Sequence, residues 1–240
     1  MKKLLFIDTE CTGVNEEDRL LQVAYRFDGG EFINEYFNPG TPIKIGAMAI
    51  HHVTEKDIAG KPQFQGSRTK SHLDDIREQG GTFVAHNAKY DLGMMKKEGL
   101  EFENHICTLK VARAIDKEGK FEAHTLQYLR YYYNLDINLN GLSPHDALAD
   151  IIVLEEVTYQ LASELCKIEG IAYDVAFDRM IEISSKPNLI HICSFKKHAG
   201  RTWQWVAENE MGYIKYFDDK DVDEDTRYTM DYWKAKMGVK

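Results

Sequence analysis

The chain has 240 residues, of which 43% are hydrophobic, and its mean hydropathy is −0.45. These values are typical of a globular protein with a substantial core, and they exclude a long disordered chain; we expect no membrane partner. The formal net charge of −9 argues against a protein coated in basic surface. It does not exclude a nucleic-acid enzyme, because metal ions can supply positive charge where phosphate is handled. The four cysteines lie far apart without a C-x-x-C pair, which predicts reduced thiols in a cytoplasmic protein.

The first predicted strand, residues 4–10, ends in two carboxylates. Side chains two apart on a strand share a face, so Leu4 and Phe6 lie on the same face as Asp8 and Glu10. Two acids at the end of a buried strand repel each other and lose hydration, and a bound divalent cation reverses that cost. This strand alone leaves two interpretations open: solvated acids where the strand leaves the core, or metal ligands.

The rest of the chain alternates between strand and helix patterns. In chain order the sequence predicts strands at 20–27 and 31–37, a short helical segment within 43–61, a helix at 69–79, a strand at 82–85, a helix that ends at 99, a short strand at 105–108, helices at 109–115 and 126–133, and a long helix that ends at 170. An antiparallel hairpin followed by alternating helices and strands predicts an α/β domain on a mixed sheet.

The long helix has a strong start signal and an acid in line with its apolar face. Ser143 is predicted as the N-cap, with Pro144 in the first turn and Asp146 as the reciprocal capping residue. Its apolar stripe consists of Leu154, Val157, Leu161, Leu165 and Ile168. One turn before this stripe lies Asp150, and an acid in such a position is uncommon without a partner.

Three separate segments therefore offer acids in partly buried positions: Asp8 with Glu10, Asp91, and Asp150. His145 lies five residues before Asp150, which on a helix puts the two on different sides and favours a histidine at the helix entrance. Four carboxylates and one histidine suit phosphodiester hydrolysis with two hard cations, in which the histidine takes a proton from the attacking water.

Three blocks of this sequence resemble the motifs of the DEDDh 3′–5′ exonucleases, the family typified by the epsilon subunit of DNA polymerase III. The blocks are Asp8-Thr9-Glu10, His86-Asn87-x-x-Tyr90-Asp91 and His145-x-x-x-x-Asp150, in that order over residues 4–168. Residues 47–55 are similar to the family's segment around the terminal nucleotide. Residues 106–113, 124–126 and 195–201 are similar to the exodeoxyribonuclease X branch, although Lys196 replaces a glycine of that pattern.

The resemblance implies a ribonuclease-H-like fold, an α/β mixed sheet flanked by helices. It implies two Mg²⁺ or Mn²⁺ ions held by Asp8, Glu10, Asp91 and Asp150, with Asp8 as the bridge between them and His145 as the general base. The substrate-binding residues that it implies are Thr9, Cys11, Met48, His51, His86, Asn87 and Tyr90. Cys11 and Tyr90 depart from the family's usual threonine and phenylalanine without removing a metal ligand.

The function implied is hydrolysis of terminal phosphodiesters at a free 3′ end, preferably in single-stranded DNA, with release of 5′-mononucleotides. Replication or repair proteins are the expected partners. An exoribonuclease that acts on short RNA is an alternative, and so is a catalytically silent nucleic-acid-binding module or a polymerase-docking proofreading module. His86 is also interpreted as an ordinary structural histidine.

The predicted division is an exonuclease domain at 1–170 and a small α+β accessory region at 171–240. Basic and aromatic residues alternate in this region, as on a strand-binding surface: Lys196, Lys197, His198, Arg201, Trp203 and Trp205. The spacing of Trp203, Trp205 and Ala207 also fits a β-strand with one buried face. The acidic run from Asp218 to Asp225 is predicted to be a solvated linker.

Overall fold

The computed structural model describes residues 2–139, 141–142 and 146–239. Its centre is a five-stranded mixed sheet with the order β3-β2-β1-β4-β5. The strands are β1 (Leu4–Cys11), β2 (Leu20–Phe27), β3 (Ile33–Tyr36), β4 (Thr82–Ala85) and β5 (His105–Cys107). The first three are antiparallel neighbours, whereas β4 and β5 run parallel to β1. The predicted α/β fold with a mixed sheet is confirmed.

Helices cover both faces of the sheet. They are α1 (Ile45–His51), α2 (Glu55–Ile58), α3 (Arg68–Glu78), α4 (Lys89–Lys97), α5 (Thr108–Ile115), α6 (Leu126–Tyr132), α7 (Ala147–Glu169) and α8 (Tyr173–Ser184). A short 3₁₀-helix (Lys196–His198) and three further helices follow: α9 (Trp203–Asn209), α10 (Met211–Lys215) and α11 (Glu224–Lys236). No helix among the described residues is long and apolar enough to cross a membrane.

The alternation of β1 supplies one core on each face of the sheet. Leu4 and Phe6 pack into a cluster with residues of α5, α7 and α8, while Leu5 and Ile7 pack into the opposite cluster with residues of α3 and α4. Burial of each such side chain contributes roughly 1.5–3 kcal/mol. The predicted faces of this strand are therefore confirmed, and its two acids lie on the α7 side.

The end of β1 extends beyond its parallel neighbour. β1 pairs with β4 only over Leu4 to Phe6, whereas its pairing with β2 continues to Cys11, with an irregularity between Glu10 and Cys11. The chain leaves β4 through Asn87, which has a left-handed backbone (φ 64°), and enters α4 at once. This turn brings the first turn of α4 beside the projecting end of β1.

The N-cap of α7 and the burial of one residue of its apolar stripe differ from the prediction, whereas the helix ends at Gly170 as predicted. Asp146, not Ser143, is the N-cap, and its carboxylate accepts hydrogen bonds from the backbone of Leu148 and Ala149. Ser143, Pro144 and His145 lie outside the described residues. Ile168 is half exposed at 50%, since it lies in the last turn of the helix, whereas the other four residues of the stripe are buried.

The C-terminal region has a hydrophobic cluster of its own, which begins at Ile190, while α8 packs against the first core. The division at residue 170 stays a prediction. The β-strand predicted around Trp203 and Trp205 is wrong. These residues lie in α9 because Thr202 caps the helix by accepting a hydrogen bond from the Trp205 backbone. Within residues 171–239, the β structure is limited to one isolated bridge, between Ile192 and Thr202.

The acidic run does not form a solvated linker throughout. Asp225 is only 2% exposed and lies within α11, where its carboxylate contacts Lys110 at 3.6 Å and Arg113 at 3.7 Å. Glu224 lies 2.6 Å from Lys110, and Asp223 lies 3.2 Å from Arg113. This ion-pair cluster joins α11 to α5.

Candidate active site

Asp8 and Glu10 are partly buried side chains on the same face of β1. Burial raises the pKa of Asp8 well above its usual range, and repulsion from Asp91, Glu10 and Asp150 raises it further. Burial, with repulsion from Asp150 and Asp91, raises the pKa of Glu10 to about 8. The carboxylates are thus close enough to oppose one another's ionisation, and the interpretation of Asp8 and Glu10 as solvated surface acids is wrong.

Asp91 lies in the first turn of α4 and is 3% exposed. Its Oδ1 atom accepts a hydrogen bond from the Thr9 backbone N–H at 3.0 Å and another from the Thr9 hydroxyl at 2.7 Å. Burial raises the pKa of Asp91, and the two bonds from Thr9 lower it in part. Thr9 itself is buried, so its side chain links β1 to the acid from α4.

Asp150 lies in the first turn of α7, and the Gln127 side-chain amide from α6 donates a hydrogen bond of 3.0 Å to its Oδ1 atom. Asp146, at the start of the same helix, adds to the repulsion that raises the pKa of Asp8 and Glu10. Neither Gln127 nor Asp146 is predicted from the sequence as part of this site. Thr125 caps α6 by accepting a hydrogen bond from the Tyr128 backbone, which puts Gln127 in the first turn of that helix.

The donor chemistry of this cluster fits a divalent cation. Four carboxylates offer hard oxygen ligands, and a cation would favour the ionised forms that burial and repulsion oppose. Across residues 2–139, 141–142 and 146–239, no group of three His, Cys, Asp or Glu side chains is placed so that it could hold a metal ion as it stands. The two metal ions therefore stay a prediction.

A cavity of about 460 Å³ opens beside Glu10. Its lining includes Cys11, His51 and Tyr90, all three predicted to bind substrate. Burial raises the pKa of the Cys11 thiol to about 12, so the thiol stays protonated at neutral pH. The Tyr90 hydroxyl donates a hydrogen bond of 3.3 Å to the Gly13 carbonyl at the mouth of the cavity.

His51 and Met48 both lie on α1, but only His51 lines this cavity. The Nδ1 atom of His51 accepts a hydrogen bond of 3.0 Å from the Val53 backbone, and its Nε2 atom lies 3.2 Å from the Cys11 carbonyl. The imidazole is therefore neutral, with the proton on Nε2. Met48 packs against the small cluster of Leu21, Ile43, Val53 and Ile58.

His86 and Asn87 lie at the turn between β4 and α4. The Nδ1 atom of His86 is 2.9 Å from the Thr108 hydroxyl, and the imidazole also bonds the backbone of His124. Burial lowers the pKa of His86 to about 4, so the ring is neutral. These contacts make His86 a link between β4 and the loop before α6, while Asn87 is exposed. Both residues border a second cavity, which residues from the 190–200 segment also line.

Residues 5–158 match the family model RNase_T, described as exonuclease. The chain belongs to the exonuclease family. This exonuclease is of the DEDDh type, and the assignment of Asp8, Glu10, Asp91 and Asp150 as its catalytic acids stays a prediction. His145, the fifth residue of the motifs, lies outside the described residues.

Two relatives and one solved structure are similar to this exonuclease. It is 28% identical to exodeoxyribonuclease 10 of Escherichia coli strain K12 over 222 residues, which cover 89% of each chain. It is 30% identical to the DNA polymerase III epsilon subunit of Buchnera aphidicola over 174 residues, or 64% of this chain and 70% of that protein. Its fold matches exonuclease X in complex with 5′-overhanging duplex DNA, with a TM-score of 0.56, 24% identity, and coverage of 75% of this chain and 99% of the other.

Proposed function

We propose that this exonuclease is a metal-dependent 3′–5′ exodeoxyribonuclease that releases 5′-mononucleotides, preferably from single-stranded ends. The observation that carries the proposal is the convergence of Asp8, Glu10, Asp91 and Asp150 at the end of β1, where repulsion from Asp91 and Asp150 helps to raise the pKa of both Asp8 and Glu10. DNA as the substrate is supported by the similarity to exodeoxyribonuclease 10, which extends over 89% of the chain.

In this proposal, Asp8, Glu10, Asp91 and Asp150 hold two Mg²⁺ or Mn²⁺ ions. When bound, such ions activate a water molecule and stabilise the leaving oxygen of a phosphodiester. Thr9 orients Asp91, and Gln127 orients Asp150, so that both carboxylates are held towards the end of β1. His145, as general base, takes the proton from the attacking water. The 460 Å³ cavity beside Glu10 receives the terminal nucleotide.

Digestion of 5′-labelled DNA and RNA oligomers of the same sequence tests the proposal. With Mg²⁺ or Mn²⁺ we expect a ladder of DNA products shortened from the 3′ end and 5′-mononucleotides as the released species, with slower cleavage of RNA and none in EDTA. Asp8→Asn keeps the shape of the side chain but not its charge and should abolish cleavage, while the exposed Asp75→Asn on α3 should leave it unchanged. Full activity of Asp8→Asn, or activity in EDTA, would contradict the mechanism.

A second candidate is an exoribonuclease that acts on short RNA, which the membership of the DEDDh-type exonuclease family also allows. Faster cleavage of the RNA oligomer in the same experiment would replace DNA by RNA in the proposal and leave the site unchanged. A polymerase-docking proofreading module is compatible with catalysis. Co-purification with a DNA polymerase would support docking.

A further inference from the structure

A cavity of about 630 Å³ lies between the exonuclease fold and the C-terminal region. We call it the C-terminal cleft; its lining includes His86, Asn87 and Thr125 on one side and Cys193, Ser194 and Gly200 on the other. Three of these residues come from the part of the chain beyond the match to the exonuclease family, which ends at residue 158. The cleft is therefore built jointly by the family's fold and by this chain's own C-terminal region.

The cleft is linked to the acid cluster, which consists of Asp8, Glu10, Asp91 and Asp150, by two short stretches of the chain. Asn87 precedes Asp91 by four residues, across the turn from β4 into α4. On the same side of the cleft, Thr125 caps α6, and two residues later Gln127 holds Asp150. A strand that leaves the acid cluster along this side of the fold would pass between it and the wall formed by the C-terminal region.

The two walls are held together before any substrate binds. Gly119 approaches Ile192 so closely that a Cβ atom on Gly119 would lie 2.5 Å from a side-chain carbon of Ile192. Behind the cleft, Lys110 and Arg113 pair with the carboxylates at the start of α11, including the buried Asp225. A site formed in advance binds its ligand without the cost of ordering the walls.

The chemistry of the lining suits a nucleic acid better than the rest of this acidic chain does. Glu122 is the one carboxylate among the described residues that line the cleft. Arg113, which also lines it, is paired with Asp225, and His86 is neutral, so the lining carries little net charge of either sign. The exposed Lys196 follows Ser194 on the 3₁₀-helix at its rim. In a protein with a net charge of −9, a phosphate backbone needs such a locally non-acidic path.

We propose that the C-terminal cleft binds the substrate strand on the 5′ side of the scissile phosphate. This inference rests on the proposed function, which it extends from the terminal nucleotide to the nucleotides that precede it. The C-terminal region is then part of the substrate-binding surface, and it matters only for substrates that are long enough to reach it.

Ser194→Glu tests this assignment, because Ser194 is exposed at the cleft and a new carboxylate there would repel phosphates. We expect KM for a single-stranded 20-mer to rise about tenfold at low salt, with kcat unchanged. KM for a dinucleotide should not change, and raising the salt should reduce the effect on the 20-mer. Ser194→Lys should lower KM for the 20-mer or leave it unchanged. Ser71→Glu on α3 is the control, since Ser71 is exposed on the opposite face of the sheet.

The outcomes separate this inference from the proposed function. If the native enzyme does not cleave the dinucleotide or the 20-mer, the proposed function fails. If it cleaves both and Ser194→Glu changes neither, or changes both equally, the inference is overturned while the function stands. If Ser194→Glu affects a duplex with a 5′ overhang but not the single strand, the cleft holds the complementary strand and the assignment is wrong. Equal melting temperatures of native protein and variant exclude misfolding as the cause.

Discussion

Thr9 donates two hydrogen bonds to one carboxylate oxygen of Asp91, one from its backbone over 3.0 Å and one from its hydroxyl over 2.7 Å. This contact joins β1 to α4 at the acid cluster. Thr9→Val keeps the shape of the side chain but removes the second bond, at a cost in stability on the order of 1–3 kcal/mol. Since that bond lowers the pKa of Asp91, its loss raises the pKa, and the acidic limb of the pH–rate profile should move to higher pH. Thr9→Ser should behave as the native protein; an unmoved limb in Thr9→Val would contradict the role.

The raised pKa of Glu10 gives the metal-free protein a defined pH dependence. Burial and repulsion raise this pKa from 4.5 to about 8 in the folded protein. Between those values the unfolded chain has released a proton that the folded chain still holds, so stability falls as the pH rises through this window. In EDTA, we expect the melting temperature to fall between pH 5 and pH 8 and to fall less in Glu10→Gln.

Added Mn²⁺ should reverse this trend in the native protein, since the ion favours the ionised carboxylates and binding stabilises the folded state. The rise in melting temperature on adding Mn²⁺ should be larger at pH 8 than at pH 6. A rise that is equal at both values, or equal in Glu10→Gln, would show that the metal binds elsewhere.

Gln127 is a positioning residue for Asp150 in this structure. Gln127→Leu removes the 3.0 Å hydrogen bond to the Asp150 carboxylate and so weakens its orientation. Loss of such a supporting contact typically weakens metal affinity or activity by about 10–100-fold. We expect the Mg²⁺ concentration for half-maximal activity to rise within that range. Gln160→Leu on α7, where the amide pairs with Glu164, is the control and should leave this concentration unchanged.

The ion-pair cluster between α5 and α11 predicts a stability effect. Asp225→Ala removes a buried carboxylate that contacts Lys110 and Arg113 and accepts a hydrogen bond from the Asn188 backbone N–H, and the loss of such contacts costs on the order of 1–3 kcal/mol. Urea unfolding should show this loss. Glu182→Ala, which removes an exposed partner of Lys186, should cost less than about 1 kcal/mol. Similar losses in the two variants would mean that the cluster does not hold the C-terminal region in place.

His145→Ala tests the general-base assignment made from the motifs. Turnover should slow by about 10²–10⁴-fold, and added imidazole should restore part of it. Stabilisation by Mn²⁺ should persist, because the carboxylates remain. An unchanged rate would exclude the role, and a loss of Mn²⁺ stabilisation would place His145 among the metal ligands.

The parts of the site that the sequence predicted correctly depend on short-range periodicity. The two-residue repeat of β1 placed Asp8 and Glu10 on one face, and the helical repeat placed Asp150 in line with the stripe of α7. Gln127 could not be predicted in this way, because its contact with Asp150 depends on how α6 packs against α7. The same holds for the contact of Thr9 with Asp91, which are separated by 82 residues.

The errors in the C-terminal region have an equally physical origin. The spacing of Trp203, Trp205 and Ala207 fits a strand as well as part of a helix. The helix forms because Thr202 caps it and because Trp203, Val206 and Ala207 are buried together on one helical face. The charge of the run from Asp218 to Asp225 indicated that its side chains would be exposed to solvent. The partners that bury Asp225 lie more than 100 residues earlier in the chain, so composition alone could not reveal them.

The like charges at the end of β1 serve the proposed chemistry but lower the thermodynamic stability of the metal-free fold. A neutral residue in place of Asp8 or Asp150 would relieve repulsion that the rest of the fold has to offset in the absence of a cation. Copies of this chain that were released from selection for cleavage should therefore lose these acids early and gain stability as they do. Persistence of the whole quartet in a lineage would then record continued use of the enzyme.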